Sequence, residues 1–142
     1  MSKRRERKTQ YAALPFRAGP GGLEVLLITS RETHRWVIPK GWPMKGKTAA
    51  EAAAQEAFEE AGLAGRVAEA PVGTFHYAKR LKSGVERPVE VLVFPLHVET
   101  ESDYWPERDE RTRRWFTPGE AAAAVDEPEL QALIAAFGRA AA

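Results

Sequence analysis

Residues 41–63 read GWPMKGKTAAEAAAQEAFEEAGL, and the fold is decided by how this stretch is read. It starts in a Gly, Pro and Lys-rich loop, Lys40 to Lys47, and passes at Thr48 into the clearest helix of the sequence, Thr48 to Ala61. Thr48-Ala49-Ala50-Glu51 has the pattern of a capping box. The Thr48 hydroxyl can accept from the third helical N–H, and the Glu51 carboxylate can reach back to the N–H of Thr48. Alanine, the best helix former, is the commonest residue that follows. Gly62 suits a left-handed C-terminal cap.

With about 100° per residue and Glu56 set at 0°, Glu59 falls at about 300° and Glu60 at about 40°. Three carboxylates therefore share one face. Ala50, Ala54, Ala57, Ala61 and Phe58 fall on the side expected to be apolar, and Glu51 points away to its capping position. Like charges at these spacings repel by about 0.2–0.5 kcal/mol per pair. A hard divalent cation with oxygen ligands is the simplest compensation. A merely solvated acidic face is the alternative.

Working outward, Tyr11 to Phe16 and Leu23 to Thr29 are apolar, β-prone runs separated by Ala18-Gly19-Pro20-Gly21-Gly22, which predicts a hairpin. Trp36-Val37-Ile38 is a short strand stopped by Pro39. Beyond the helix, Val67 to Ala78 and Val89 to Val98 read as strands joined by a long basic loop, Lys79 to Pro88. Glu99 to Arg114 is polar and expected to be irregular, and Trp115-Phe116 is a short strand. Thr117 and Pro118 open another helix. Pro128 to Phe137 forms a last one, with Leu130, Leu133, Ile134 and Phe137 on one side. The order of elements implies α+β packing around a mixed sheet.

The chain has 142 residues, 44% hydrophobic and 29% charged, which suits one globular domain. The absence of Cys rules out disulfides, thiolate metal sites and a cysteine nucleophile. No apolar run approaches the roughly 20 residues that span a bilayer. The start, MSKRRERKTQ, lacks an apolar stretch after its basic region, so no secretory signal is read there and the expected location is cytoplasmic. A net charge of +1 hides an uneven distribution. Five bases against Glu6 give the first ten residues +4, leaving 16 basic and 19 acidic residues in the remainder. Residues 1–9 are expected to be a flexible basic arm and residues 10–142 a single domain.

The 23-position stretch from Gly41 to Leu63 resembles the Nudix box of the Nudix (MutT-like) hydrolase superfamily. That signature runs Gly, five residues, Glu, seven residues, then Arg-Glu-apolar-any-Glu-Glu-any-Gly-apolar. Gly41, Glu56, Ala57, Glu59, Glu60, Gly62 and Leu63 match in register, while Lys47 stands in place of Glu and Gln55 in place of Arg. The resemblance covers residues 10 to 138. It implies an α/β/α sandwich with a mixed sheet and a strand-loop-helix box. Asp103-Tyr104-Trp105 and Arg113-Arg114-Trp115-Phe116 look like the diphosphoinositol polyphosphate phosphohydrolase branch, which also takes diadenosine polyphosphates.

By that resemblance the chain is expected to hydrolyse a diphosphate linkage with Mg²⁺ or Mn²⁺. A polyphosphate substrate is highly anionic, so cations must neutralise it while water attacks phosphorus. Glu56, Glu60, Glu59 and the backbone carbonyl of Lys40 are the implied metal ligands. Glu56 and Glu59 are the candidate catalytic bases within the box, and Glu107 and Glu110 the candidates outside it. Arg17, Ser30, Arg31, Lys40, Lys79, Arg80, Arg87, Arg113 and Arg114 are the candidate substrate contacts, with Lys45 beside them. Arginine suits bidentate phosphate contacts, though each base alone is also an ordinary surface charge. Trp42, next to Pro43 in the loop, is the tryptophan most suited to stack a base, whereas Trp36 and Trp115 are expected in the core. His34, His76 and His97 show no ligand spacing. The expected partner is a small polyphosphate, not a membrane. No RNA-recognition motif appears, and only the basic arm speaks for an RNA 5′-end pyrophosphohydrolase. The departures at Lys47 and Gln55 define the competing class, a Nudix-fold sensor that binds a nucleotide or polyphosphate without cleaving it.

Overall fold

The computed structural model describes residues 8–141. The elements run β1 (Lys8–Gly19), β2 (Gly22–Thr29), β3 (Trp36–Val37), β4 (Lys40–Gly41), α1 (Ala49–Ala61), β5 (Leu63–Val67), β6 (Gly73–Arg80), β7 (Glu86–Glu101), β8 (Arg113–Phe116), α2 (Pro118–Ala124) and α3 (Pro128–Ala140). One short 3₁₀ turn, Arg108–Glu110, interrupts the β7–β8 segment.

All eight strands join one sheet, with the path β3-β2-β1-β7-β5 and with β4 on β1, β6 on β7 and β8 on β2. The sheet is mixed because β1 and β7 run parallel, from Lys8 opposite Val89 to Phe16 opposite His97, while the other pairs are antiparallel. Alternate residues of a strand face opposite sides of a sheet. Here Leu14, Val25, Leu27, Phe75 and Val91 face α2 and α3, in a core with Leu130 and Ile134. Ala13, Leu26, Ile28, Phe94 and Leu96 face α1, meeting Ala50, Ala53, Ala57 and Ala61. Helices cover both faces, which gives the expected α/β/α sandwich. It also explains the continuous apolar runs in β1 and β2.

The helix boundaries follow from local chemistry. Thr48 Oγ1 accepts from the Glu51 N–H at 3.1 Å, and Glu51 Oε1 accepts from the Thr48 N–H at 2.9 Å. Gly62 takes φ +71°, where a side chain is strained. Thr117 and Glu120 form a second capping box at α2. Thr48→Ala is expected to lower stability by about 1 kcal/mol, seen as a lower thermal midpoint.

Several expectations are corrected. Strand β1 begins at Lys8, so Lys8 and Thr9 pair with Val89 and Glu90 and do not belong to an arm; residues 1–7 of that expected arm lie outside the described residues. The single strand expected over Val67 to Ala78 is two strands. The chain leaves Gly62 directly into β5, an edge strand with exposed Ala64, Gly65 and Arg66, and Pro71, which has no N–H, lies in the gap before β6. The basic loop of Lys79 to Pro88 shrinks to residues 81–85. Its flanks stay in the ladder because Arg80 faces Glu86 across the strands, with Arg80 NH2 3.2 Å from Glu86 Oε2. The segment from Glu99 to Arg114 is likewise strand at both ends. Phe58 is 38% exposed and not on the buried face of α1, which is rotated toward Ala53 and Glu60.

Candidate active site

The strand-loop-helix unit β4–α1 opens on a cleft of about 630 Å³. Glu56 and Glu60 line it from α1, and Lys40, Gly41 and Trp42 from β4 and the loop after it. Gly41 lets the Glu56 carboxylate lie against the main chain there, and a Cβ at this position would push that carboxylate aside. The Lys40 N–H donates to Glu60 Oε1 at 3.3 Å, so the main chain of Lys40 lies beside that carboxylate.

The two acids are strongly perturbed. Burial pushes the Glu60 carboxyl up to about 8, and hydrogen bonding to Glu56 and the Glu56 charge push the same way against the pull of Arg111 and Lys40. Burial also raises Glu56, reinforced by the charges of Glu59 and Glu107. Without a cation, Glu60 thus carries a proton at neutral pH and shares it with Glu56. Burial lowers the Lys40 ammonium, against the pull of Glu60. Lys40 Nζ sits 5.0 Å from the centre of the Tyr77 ring. The Tyr77 hydroxyl, pushed up to about 12 by burial, donates to Gln10 Oε1 at 2.8 Å.

Of the residues anticipated from the sequence, Ser30, Arg31, Lys40, Lys79, Arg80, Glu56, Glu60 and Glu107 line the cleft. Glu59 does not line it, and accepts from Gln55 Nε2 at 2.7 Å. Glu110 is also outside, paired with Arg31 at 3.2 Å. Four arginines are engaged elsewhere or stand apart. Arg17 binds Glu24 and Glu101 and stacks on Trp115, and Arg114 stacks on Trp36 and Phe116. Arg113 donates to the Ala61 carbonyl and stacks on Trp105, and Arg87 faces Lys79 across the β6–β7 ladder. Lys45 and Lys47 are exposed and off the cleft, while Trp42 is 41% exposed at its rim.

Two basic residues of the cleft escape sequence reading. Arg35 lines the cleft and is held by Glu127 Oε2 at 3.0 Å, from the start of α3. Arg111 donates from Nε to Glu107 Oε1 at 2.7 Å and from NH1 to the Thr29 carbonyl at 3.2 Å, with NH2 3.9 Å from Glu60 Oε1. Nothing in the sequence singles out Arg111, which is one of four arginines within residues 107–114.

The donor chemistry suits a hard cation. Burial and mutual repulsion disfavour ionising both Glu56 and Glu60, one turn apart, and a bound cation would relieve that cost. Among the described residues no ready group of three or more His, Asp or Glu side chains is gathered at ligand spacing. Mg²⁺ tolerates that, because it keeps several waters and takes one or two carboxylates plus substrate phosphates.

A family model, the NUDIX domain, matches residues 8–137. The chain belongs to the Nudix family. This Nudix chain is 38% identical over 102 residues to the mitochondrial Nudix hydrolase 12 of Arabidopsis thaliana, covering 70% of this chain and 50% of that protein. It is 39% identical over 105 residues to the mitochondrial Nudix hydrolase 13 of the same plant, covering 70% and 52%. The chain thus spans about half the length of these curated relatives. The Nudix fold is shared with a C. elegans Ap4A hydrolase in a binary complex, at TM-score 0.68 and 22% identity, over 93% of this chain and 96% of that one. Among the described residues of this Nudix domain, no helix is long and apolar enough to cross a membrane.

Proposed function

We propose that the chain is a Mg²⁺- or Mn²⁺-dependent pyrophosphohydrolase cleaving a diphosphate linkage in a polyphosphorylated substrate. Diphosphoinositol polyphosphates and dinucleoside polyphosphates are the two classes to test first. One observation carries this reading: the box acids Glu56 and Glu60 share a single cleft with Arg31, Arg35, Lys40, Lys79 and Arg80. Acids and bases crowded together in one polar cleft are matched by a ligand that brings cation and phosphate at once.

Glu56 and Glu60 would hold the cation, with the Lys40 carbonyl as a further donor, while Glu59, held by Gln55 outside the cleft, would act from behind them. A bound Mg²⁺ supplies charge neutralisation at phosphate oxygens and lowers the pKa of a water. The bases orient the phosphates, Arg31 and Arg35 by forked contacts and the lysines as point charges. Of the two box candidates for the general base, Glu56 lines the cleft and Glu59 does not. Glu107 is the better placed of the two outside it, because it lines the cleft and Glu110 does not. Arg17, Arg87, Arg113 and Arg114 are left out of the substrate site. Ap4A belongs on the panel because a protein of the same fold is an Ap4A hydrolase. The proposed compartment is the cytoplasm, although the matched plant relatives are mitochondrial; cell fractionation decides between them.

The test is a panel of Ap4A, a diphosphoinositol polyphosphate, ADP-ribose and a 5′-triphosphate RNA, each with Mg²⁺, Mn²⁺ or EDTA. Metal-dependent turnover of at least one is expected. Binding without turnover across the panel would instead support a non-catalytic sensor. That second reading draws on Gln55, which reaches Glu59 but brings no charge.

A further inference from the structure

The last turn of α1 carries Glu59 and Glu60, and helix ends leave their final carbonyls without intrahelical partners. Here four consecutive carbonyls are each taken by the β7–β8 segment. The Glu59 carbonyl accepts from the Glu107 N–H at 3.0 Å and the Gly62 carbonyl from the Ser102 N–H at 2.8 Å. The Glu60 carbonyl accepts from Trp105 Nε1 at 3.1 Å, and the Ala61 carbonyl from Arg113 NH1 at 2.8 Å. The two side chains also support each other, the Arg113 guanidinium lying 4.1 Å from the centre of the Trp105 ring. A cation at this end of a helix is favoured by the helix dipole as well. The approach is close: a Cβ on Gly62 would lie 2.6 Å from the Trp105 ring and 2.9 Å from Arg113 NH1. Neither Trp105 nor Arg113 lines the cleft.

We propose that Trp105 and Arg113 are positioning residues that fix the last turn of α1 by its main-chain carbonyls and so aim the Glu59 and Glu60 carboxylates, without touching substrate. The inference rests on the hydrolase reading. The same segment delivers Glu107 and Arg111 to the cleft, so helix and loop are set in one piece. Polar contacts behind a ligand change metal affinity or activity by roughly 10- to 100-fold when lost.

The variants are W105F, which keeps an aromatic ring and removes the donor, R113Q, and R113K, which keeps a donor and a charge. For the panel compound that is turned over, W105F and R113Q should each lower kcat by about 10-fold or more, with KM within about twofold of the parent. Mg²⁺ affinity, measured calorimetrically without substrate, should fall by a similar factor, and R113K should recover part of both. A raised KM at unchanged kcat in R113Q overturns the proposal by making Arg113 a phosphate contact. Reduced thermal stability alone, with kcat and Mg²⁺ affinity at parent levels, overturns it too. Glu60→Gln in the same assay separates the two readings. Turnover that survives Glu60→Gln removes the metal assignment, and amide exchange then decides the brace: faster exchange in the last turn of α1 in W105F supports it, and parent-like exchange overturns it.

Discussion

Glu60→Gln should reduce metal-dependent turnover by about 100-fold or more while leaving the domain folded. Glutamine has nearly the shape of glutamate and can still accept from the Lys40 N–H. What it lacks is the negative charge, which at this site would offset much of the cation's charge. The measurement is kcat/KM at saturating Mg²⁺ beside a calorimetric Mg²⁺ titration. Parent-like values in both would sink the assignment of Glu60 as a ligand.

The same substitution carries a stability signature of opposite sign. The folded protein holds the Glu60 proton up to about pH 8, whereas an unfolded chain releases it near the ordinary value of 4.5. Between those values the unfolded state binds fewer protons, so stability without metal falls as pH rises through this window. The loss is bounded by about 1.4 kcal/mol for each unit by which the pKa is raised. Glu60→Gln should flatten this slope and leave the metal-free protein more stable than the parent at pH 8. Mg²⁺ should stabilise the parent most at the upper end of the window, because it binds the deprotonated form. Denaturant titrations at pH 5, 6.5 and 8, with EDTA or Mg²⁺, check each of these statements.

Arg111→Gln should cost about 2 kcal/mol of folding stability, since it removes charge-assisted hydrogen bonds made by a largely buried guanidinium. Its side chain is only 10% exposed and reaches Glu107, the Thr29 carbonyl and the neighbourhood of Glu60. Its loss strands the Glu107 carboxylate and removes the strongest influence holding the Glu60 pKa down. The pH slope should therefore extend higher than in the parent. Arg111→Lys retains a charge without the planar fork and should recover only part of the stability. Urea denaturation at pH 7 reads the effect, and a midpoint equal to the parent's would mean that the guanidinium is not holding the site together.

Much of the domain was legible because its cues are local. Thr48 and Glu51 are three residues apart and their capping box forms as read, and Thr117 caps the next helix as expected, with Glu120 completing a second box. Gly62 takes the left-handed conformation that its place after an alanine-rich helix suggested. Gly19 opposite Gly22 closes the first hairpin. The common face of Glu56 and Glu60 follows from helical geometry alone.

Other features depend on residues far apart in the chain. Position 55 of the box lacks its arginine, and the guanidinium near Glu60 belongs to Arg111, 51 residues away. Strand β5 has almost no apolar alternation and exists because the far edge of β7 offers it a partner. Arg17 and Arg113 resemble phosphate contacts in the sequence until their carboxylate, carbonyl and aromatic partners come into view. The sequence by itself determined the acid helix, its caps and the family, because interactions over three or four residues hold in any context. The tertiary structure alone decided which charges meet in the cleft. That outcome depends on the register of β1 against β7 and on the path of the β7–β8 segment, and neither is encoded in any short stretch of chain.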